Sequence, residues 1–106
     1  MRLNFSQVMK DIDGSDVREL KDNGLQTITL GIVAARALNI PTEANSRESG
    51  ENKVMGYVLG IKTYQGGEVD LTIDEAAYLK RKLGEFPFPV LAGQALIALE
   101  AATKVI

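Results

Sequence analysis

Few residues in this chain could do chemistry, and their spacing limits what that chemistry could be. Asp11-Ile12-Asp13-Gly14-Ser15-Asp16 puts oxygen ligands (Asp11, Asp13, Ser15) at the first, third and fifth positions of a calcium loop. An EF-hand loop also requires glycine at its sixth position and a bidentate glutamate at its twelfth. Those positions hold Asp16 and Asp22, and Leu3 to Phe5 does not read as an entering helix. The Asp13-Gly14 pair reads better as a hairpin turn, because both residues tolerate the backbone that tight turns demand. Asp74, Glu75 and Glu85 supply carboxylates, but the first two adjoin a helix start, where acids cap and complement the macrodipole without catalysing anything. No base or nucleophile converges on them by spacing. Lys80-Arg81-Lys82, with Lys62, has the charge to contact phosphates; the competing reading, a solvated helix end stabilised by the dipole, is favoured. Gly56 and Gly60 have the small-xxx-small spacing that lets helices approach closely, which marks dimer faces in membranes and internal packing in a soluble chain. Gly66-Gly67 lacks the lysine and hydroxyl of a phosphate loop and reads as a linker. These residues predict a protein with no catalytic, cofactor or metal site.

Composition narrows the classes further. The 106 residues contain no cysteine and no histidine. That removes disulfides, thiolate metal sites, histidine-bound structural zinc and triads with histidine as base from a single chain. An all-oxygen site for a hard cation is not removed. Hydrophobic residues at 45% and charged residues at 25% match an ordinary soluble domain. The net charge of −2 gives no overall basic surface of the kind that neutralises phosphates, so a nucleic-acid partner is disfavoured. The N-terminus has no apolar run of signal-peptide length, and Val90 to Leu99 is too short to span a bilayer and is interrupted by Gln94. The expectation is a soluble, cytoplasmic protein with no membrane contact. A domain this small has a limited core, and oligomerisation is the stabilising aid that composition leaves open.

The elements follow from turns, caps and periodicity. Residues 1–28 read as an antiparallel β-meander, cut by Asp13-Gly14 and Asn23-Gly24 into pieces at 2–12, 15–21 and 25–28. Thr29 caps a helix from Leu30 to about Leu38, with Asn39 at its end and Pro41 preventing continuation. Residues 41–52 form a polar, breaker-rich stretch and read as an exposed loop. From Lys53 to Tyr64, residues Val54, Tyr57, Val58, Ile61 and Tyr64 fit a helical stripe, and their β-branched and aromatic content also suits a strand. The Ser49 cap and the length favour helix. Glu68 to Leu71 alternates as a short strand added to the meander. Thr72-Ile73-Asp74-Glu75 is a capping box that opens a helix from Ile73 to about Leu83, with Gly84 as its stop. Pro87 and Pro89 set an elbow into a last helix, and 68–106 therefore reads as a strand followed by a helical hairpin.

The fold expected is α+β: one domain over 1–106, with a small N-terminal antiparallel meander packed on about four helices and ending in a helical hairpin. On the last helix Gly93, Ile97, Glu100 and Lys104 project to one stripe, with Leu91, Ala95, Ala98, Leu99 and Ala102 roughly opposite. Ile97 falls where the surface should be wet. The candidate interface is therefore Leu91, Gln94, Ile97, Glu100, Ala101 and Lys104, open to a second copy or to another protein.

Four sets of strings, in order, resemble a group of small proteins encoded by tailed bacteriophages and prophages. They are Leu3-Asn4-Phe5 with Asp11-Ile12-Asp13-Gly14; Thr29-Leu30-Gly31 with Ala37-Leu38; Val69-Asp70-Leu71-Thr72 with Glu75; and Pro89-Val90-Leu91-Ala92-Gly93-Gln94-Ala95 with Leu99-Glu100. The resemblance covers most of the chain and rests on packing and turn residues. It implies a phage-associated, non-enzymatic protein in the bacterial host cytoplasm or on the virion, and it brings no catalytic residue with it. The function expected is self-association or docking in phage assembly. The alternative is a regulator or inhibitor that binds a host or phage protein, and a nucleic-acid binder ranks behind both.

Overall fold

In the computed structural model, which describes residues 1–103, the helix at the centre of the packing is α1, Leu30–Asn39. It forms where expected. The Thr29 hydroxyl accepts from the Ile32 amide at 3.3 Å, and the helix ends at Ile40, whose extended backbone suits a residue preceding proline. Leu30, Val33, Ala34, Ala37 and Leu38 are buried. Three later helices close over them: α3 (Gly50–Tyr64), α4 (Ile73–Glu85) and α5 (Pro89–Thr103).

Four short strands make two separate antiparallel ladders, β1–β4 and β2–β3, and the fold is α+β. Strands β2 (Arg18–Lys21) and β3 (Gly24–Thr27) form a hairpin over Asp22-Asn23, with Gly24 taking the positive φ of 115°. The other predicted turn also forms: Gly14 has φ 87°, the Asp11 amide donates to the Ser15 carbonyl at 2.7 Å, and Lys10 bridges Asp16. The N-terminal pieces do not share one sheet, however. β1 (Arg2–Asn4) pairs with β4 (Glu68–Asp70), from the far side of three helices. Leu3 lies opposite Val69 and both point inward, so the burial of this apolar pair sets the register.

Two boundaries differ from expectation. The polar stretch 41–52 is not an open loop. It contains α2 (Glu43–Ser46), capped by Thr42, and the start of α3, capped by Ser49. The Asn45 amide nitrogen fastens it to α1 by donating to the carbonyls of Ala37 at 3.2 Å and Ile40 at 2.8 Å. The described residues therefore hold five helices. Gly84 does not stop α4, because the helix runs on to Glu85. Phe86 is the cap, driven to extended backbone by the Pro87 that follows it. The capping box at the other end is present, with Thr72 accepting from the Glu75 amide at 3.1 Å and Glu75 accepting from the Thr72 amide at 2.9 Å.

α1 and α3 touch almost backbone to backbone. A methyl group built on Gly31 would lie 2.1 Å from the Thr63 carbonyl oxygen, and one on Gly60 would lie 2.4 Å from the Asn39 amide nitrogen. The Gly56–Gly60 spacing is thus used for packing within the chain.

Candidate interaction surface

The tight contact with α1 decides which side of α3 faces out. Its buried residues are Gly56, Leu59, Gly60 and Thr63. Val54, Tyr57, Val58, Ile61 and Tyr64 stand on the other side, all exposed, with Val54 and Tyr57 each 63% accessible. The stripe that periodicity assigns to the core is the stripe this helix presents to water. A contiguous apolar face of this kind is uncommon on a monomer unless something covers it.

The surroundings give the face a shape. Tyr57 and Tyr64 form one wall of an open groove of about 550 Å³ between α1 and α3, lined also by Ala35, Arg36, Asn39, Ile40 and Gly60. The Lys21 ammonium donates to the Tyr64 hydroxyl at 3.3 Å, and this contact is the main cause that holds the hydroxyl below its usual pKa. Arg36 makes a two-pronged contact with Glu19, 3.0 Å on one prong, and so seats the β2–β3 hairpin beside the groove. Lys62 borders the opposite flank, paired with Glu75 at 3.3 Å. Leu20 and Leu25 are also exposed, but as cross-strand partners they share one face of the hairpin, while Glu19 and Lys21, which reach Arg36 and Tyr64, point to the other.

The sequence-predicted interface on α5 is dispersed. Ile97 is 71% accessible and Ala101 is exposed beside it. Glu100 is turned toward α4, 3.9 Å from Lys80. Leu91 is packed against the core. Gln94 is tied to the N-terminal segment: its side chain accepts from the Lys10 amide at 2.8 Å and donates to the Lys10 carbonyl at 2.5 Å, as a neighbouring strand would. Lys104 lies outside the described residues. Among the described residues of α5 the exposed large apolar side chains are thus Ile97 and, less exposed, Val90, against five on α3.

In the basic run Lys80 and Arg81 are exposed, as a solvated helix end requires, and Lys82 is not. Lys82 is 1% accessible and contacts both Glu48 and, at 3.2 Å, Glu85. Arg81 forks onto Glu48 at 2.8 and 3.2 Å and stacks over the Tyr78 ring at 5.1 Å. Glu48, held by Arg81 first and then by Lys82 and Asn52, has its carboxyl lowered to about 2. Burial works to lower the Lys82 ammonium, but its close pairing with the Glu48 and Glu85 carboxylates outweighs this and raises it. The cluster clamps the segment after α2 onto α4. All four cations proposed for phosphate contact, Lys62, Lys80, Arg81 and Lys82, therefore face carboxylates of the chain itself.

The acidic turn is internally satisfied as well. Asp13 accepts from the amide and hydroxyl of Ser15 at 2.9 and 2.6 Å, Asp16 pairs with Lys10, and Asp22 sits in the other hairpin. Among the described residues no group of three or more acidic side chains is placed to hold a metal ion, and no helix is long and apolar enough to cross a membrane. Comparison of the chain with protein-family models, curated proteins and solved structures finds no match.

Proposed function

We propose that this is a non-enzymatic interaction protein whose docking surface is the outer face of α3. The observation that carries the reading is the inverted helix: apart from Leu59 the buried residues of α3 are small, and five large apolar side chains face water. Burying such a face gains roughly 25 cal/mol per Å² of apolar surface. The two tyrosines, each with an apolar ring and a polar tip, suit a docking surface that stays soluble when unoccupied. The wider setting, self-association or docking within the assembly of a tailed phage or prophage particle, rests on the resemblance of the sequence strings.

The test is the double variant Val58→Asp/Ile61→Asp. Both residues lie outside the core, so its thermal midpoint should stay within a few degrees of wild type while association is lost. Global unfolding of the variant would mean that the stripe is structural and would overturn the reading. In cells producing the particle, the same variant should lower particle yield; undiminished yield would remove the assembly setting.

A further inference from the structure

Val54, Tyr57, Ile61 and Tyr64 follow one another at alternating spacings of three and four residues, the repeat of a two-helix seam. Val54 and Ile61 fall at one seam position, Tyr57 and Tyr64 at the other, and Val58 lies beside them. The two positions have different shapes: a compact β-branched side chain at one and a broad ring at the other. In antiparallel pairing each layer joins one position to the other, so a ring always meets a branched aliphatic. In parallel pairing ring would meet ring and valine would meet valine, which leaves the layers unevenly filled.

We propose that the occupant of the α3 face is a second copy of the same chain, paired antiparallel. Val54 then packs against the partner's Tyr64, and Tyr57 against the partner's Ile61. This inference rests on the reading of α3 as the docking surface. Charge supports the direction. On the Val58 flank, Glu51 is exposed in the first turn of α3, and Lys62, which pairs with Glu75 of its own chain and keeps 45% of its side chain accessible, lies in its last turn, so an antiparallel copy sets the partner's Glu51 beside a shared ammonium. It also sets each helix's positive end beside the other's negative end. Area supports a weak dimer. Taking ~150–250 Å² for a whole aromatic side chain, the five exposed residues offer on the order of 500 Å² per copy. The total of roughly 1,000 Å² lies at the lower limit for a specific interface.

The chain has no cysteine, so introduced thiols report alone. Sedimentation equilibrium from about 1 µM to about 1 mM should show a reversible monomer–dimer transition within that range. The variant Val58→Asp should weaken it at least tenfold, while Ile97→Asp leaves it unchanged. Under mild oxidation, mixing Val54→Cys with Tyr64→Cys should give a cross-linked dimer at least several-fold faster than either protein alone. A folded wild type that stays monomeric throughout overturns the inference. So does rapid cross-linking of Val54→Cys with itself, or a dimer abolished by Ile97→Asp and not by Val58→Asp. These results leave open whether another protein docks on α3, whereas unfolding of the Val58→Asp/Ile61→Asp variant would remove the docking reading itself.

Discussion

Single residues set the tightest constraints in this molecule. Gly31 is one: its Cα faces a main-chain carbonyl, and a main chain cannot swing aside as a side chain can. Gly31→Ala should therefore cost about 2–3 kcal/mol, read as a drop of roughly 10 °C or more in thermal midpoint. Gly60→Ala meets only the amide end of Asn39 and should cost about 1 kcal/mol, mainly through the hydrogen bonds that Asn39 makes to Ala35 and Gly56. Glu48 is a second constraint, and its effect depends on pH. Its folded-state carboxyl is held at about 2, below the ordinary 4.5, so its contribution is fully present above about pH 5 and is lost as the pH falls toward 2. Urea unfolding of the wild type should show stability declining across that window. Glu48→Gln should flatten the decline and, by leaving Lys82 with Glu85 alone, should also lower stability at pH 7 by about 2–3 kcal/mol.

Among the elements, α3 separates what the sequence makes legible from what it does not. Its cap at Ser49 and its helical character are readable, because caps and chain length are local properties, but the first turn at 50–52 is polar and reads as part of the loop, so the start falls three residues late, at Lys53. Its orientation is not readable. An apolar stripe normally marks the core side, and here that inference fails because Gly56, Gly60 and Thr63 admit a closer neighbour than a wall of valines and tyrosines would. The signal that could have reversed the reading was the Gly56–Gly60 pair taken together with Gly31 and Ala34 on α1, two thin surfaces matched in one chain. A side-by-side pair of truncations checks the orientation. Leu59→Ala, from a residue 1% accessible, should cost about 3 kcal/mol, while Val58→Ala, next to it in sequence, should change stability by less than about 0.5 kcal/mol. The strands divide in the same way. The turns at Gly14 and Gly24 are local and were legible. The alternation of Glu68 to Leu71 makes β4 legible as a strand added to the N-terminal region, whereas its pairing with β1 alone, with Leu3 opposite Val69, is set by burial across the fold and by nothing near either strand. In the basic run only Lys82 departs from a solvated helix end, for a related reason: Glu48, which pairs with Arg81 and Lys82, arrives from a polar stretch that composition marks as loop. On α5 the exposed position of Ile97 was legible from the projection, whereas the tie from Gln94 to Lys10 depends on where a distant segment happens to pass.

At the scale of the whole molecule, one contiguous core runs from Phe5 through α1 to Leu99. The N-terminal strand is therefore as much a part of the cooperative unit as the last helix. Unfolding followed by far-UV circular dichroism and by tyrosine fluorescence should give coincident transitions. Phe5→Ala, at a side chain with no accessible surface, should lower both together by about 4 kcal/mol; a helical signal that survives the loss of the tyrosine signal would contradict a single unit. The contact of Gly31 with Thr63 has a consequence for recognition as well. Where Gly31 meets the Thr63 carbonyl no side chain lies between α1 and α3, and beside it Asn39 is hydrogen-bonded to the Gly56 carbonyl, so α3 has little room to roll about its own axis. The azimuth of its outer face is set by these contacts. A partner thus meets a surface already ordered before the encounter, so little conformational entropy is lost in forming the contact, and association should proceed as the docking of rigid bodies.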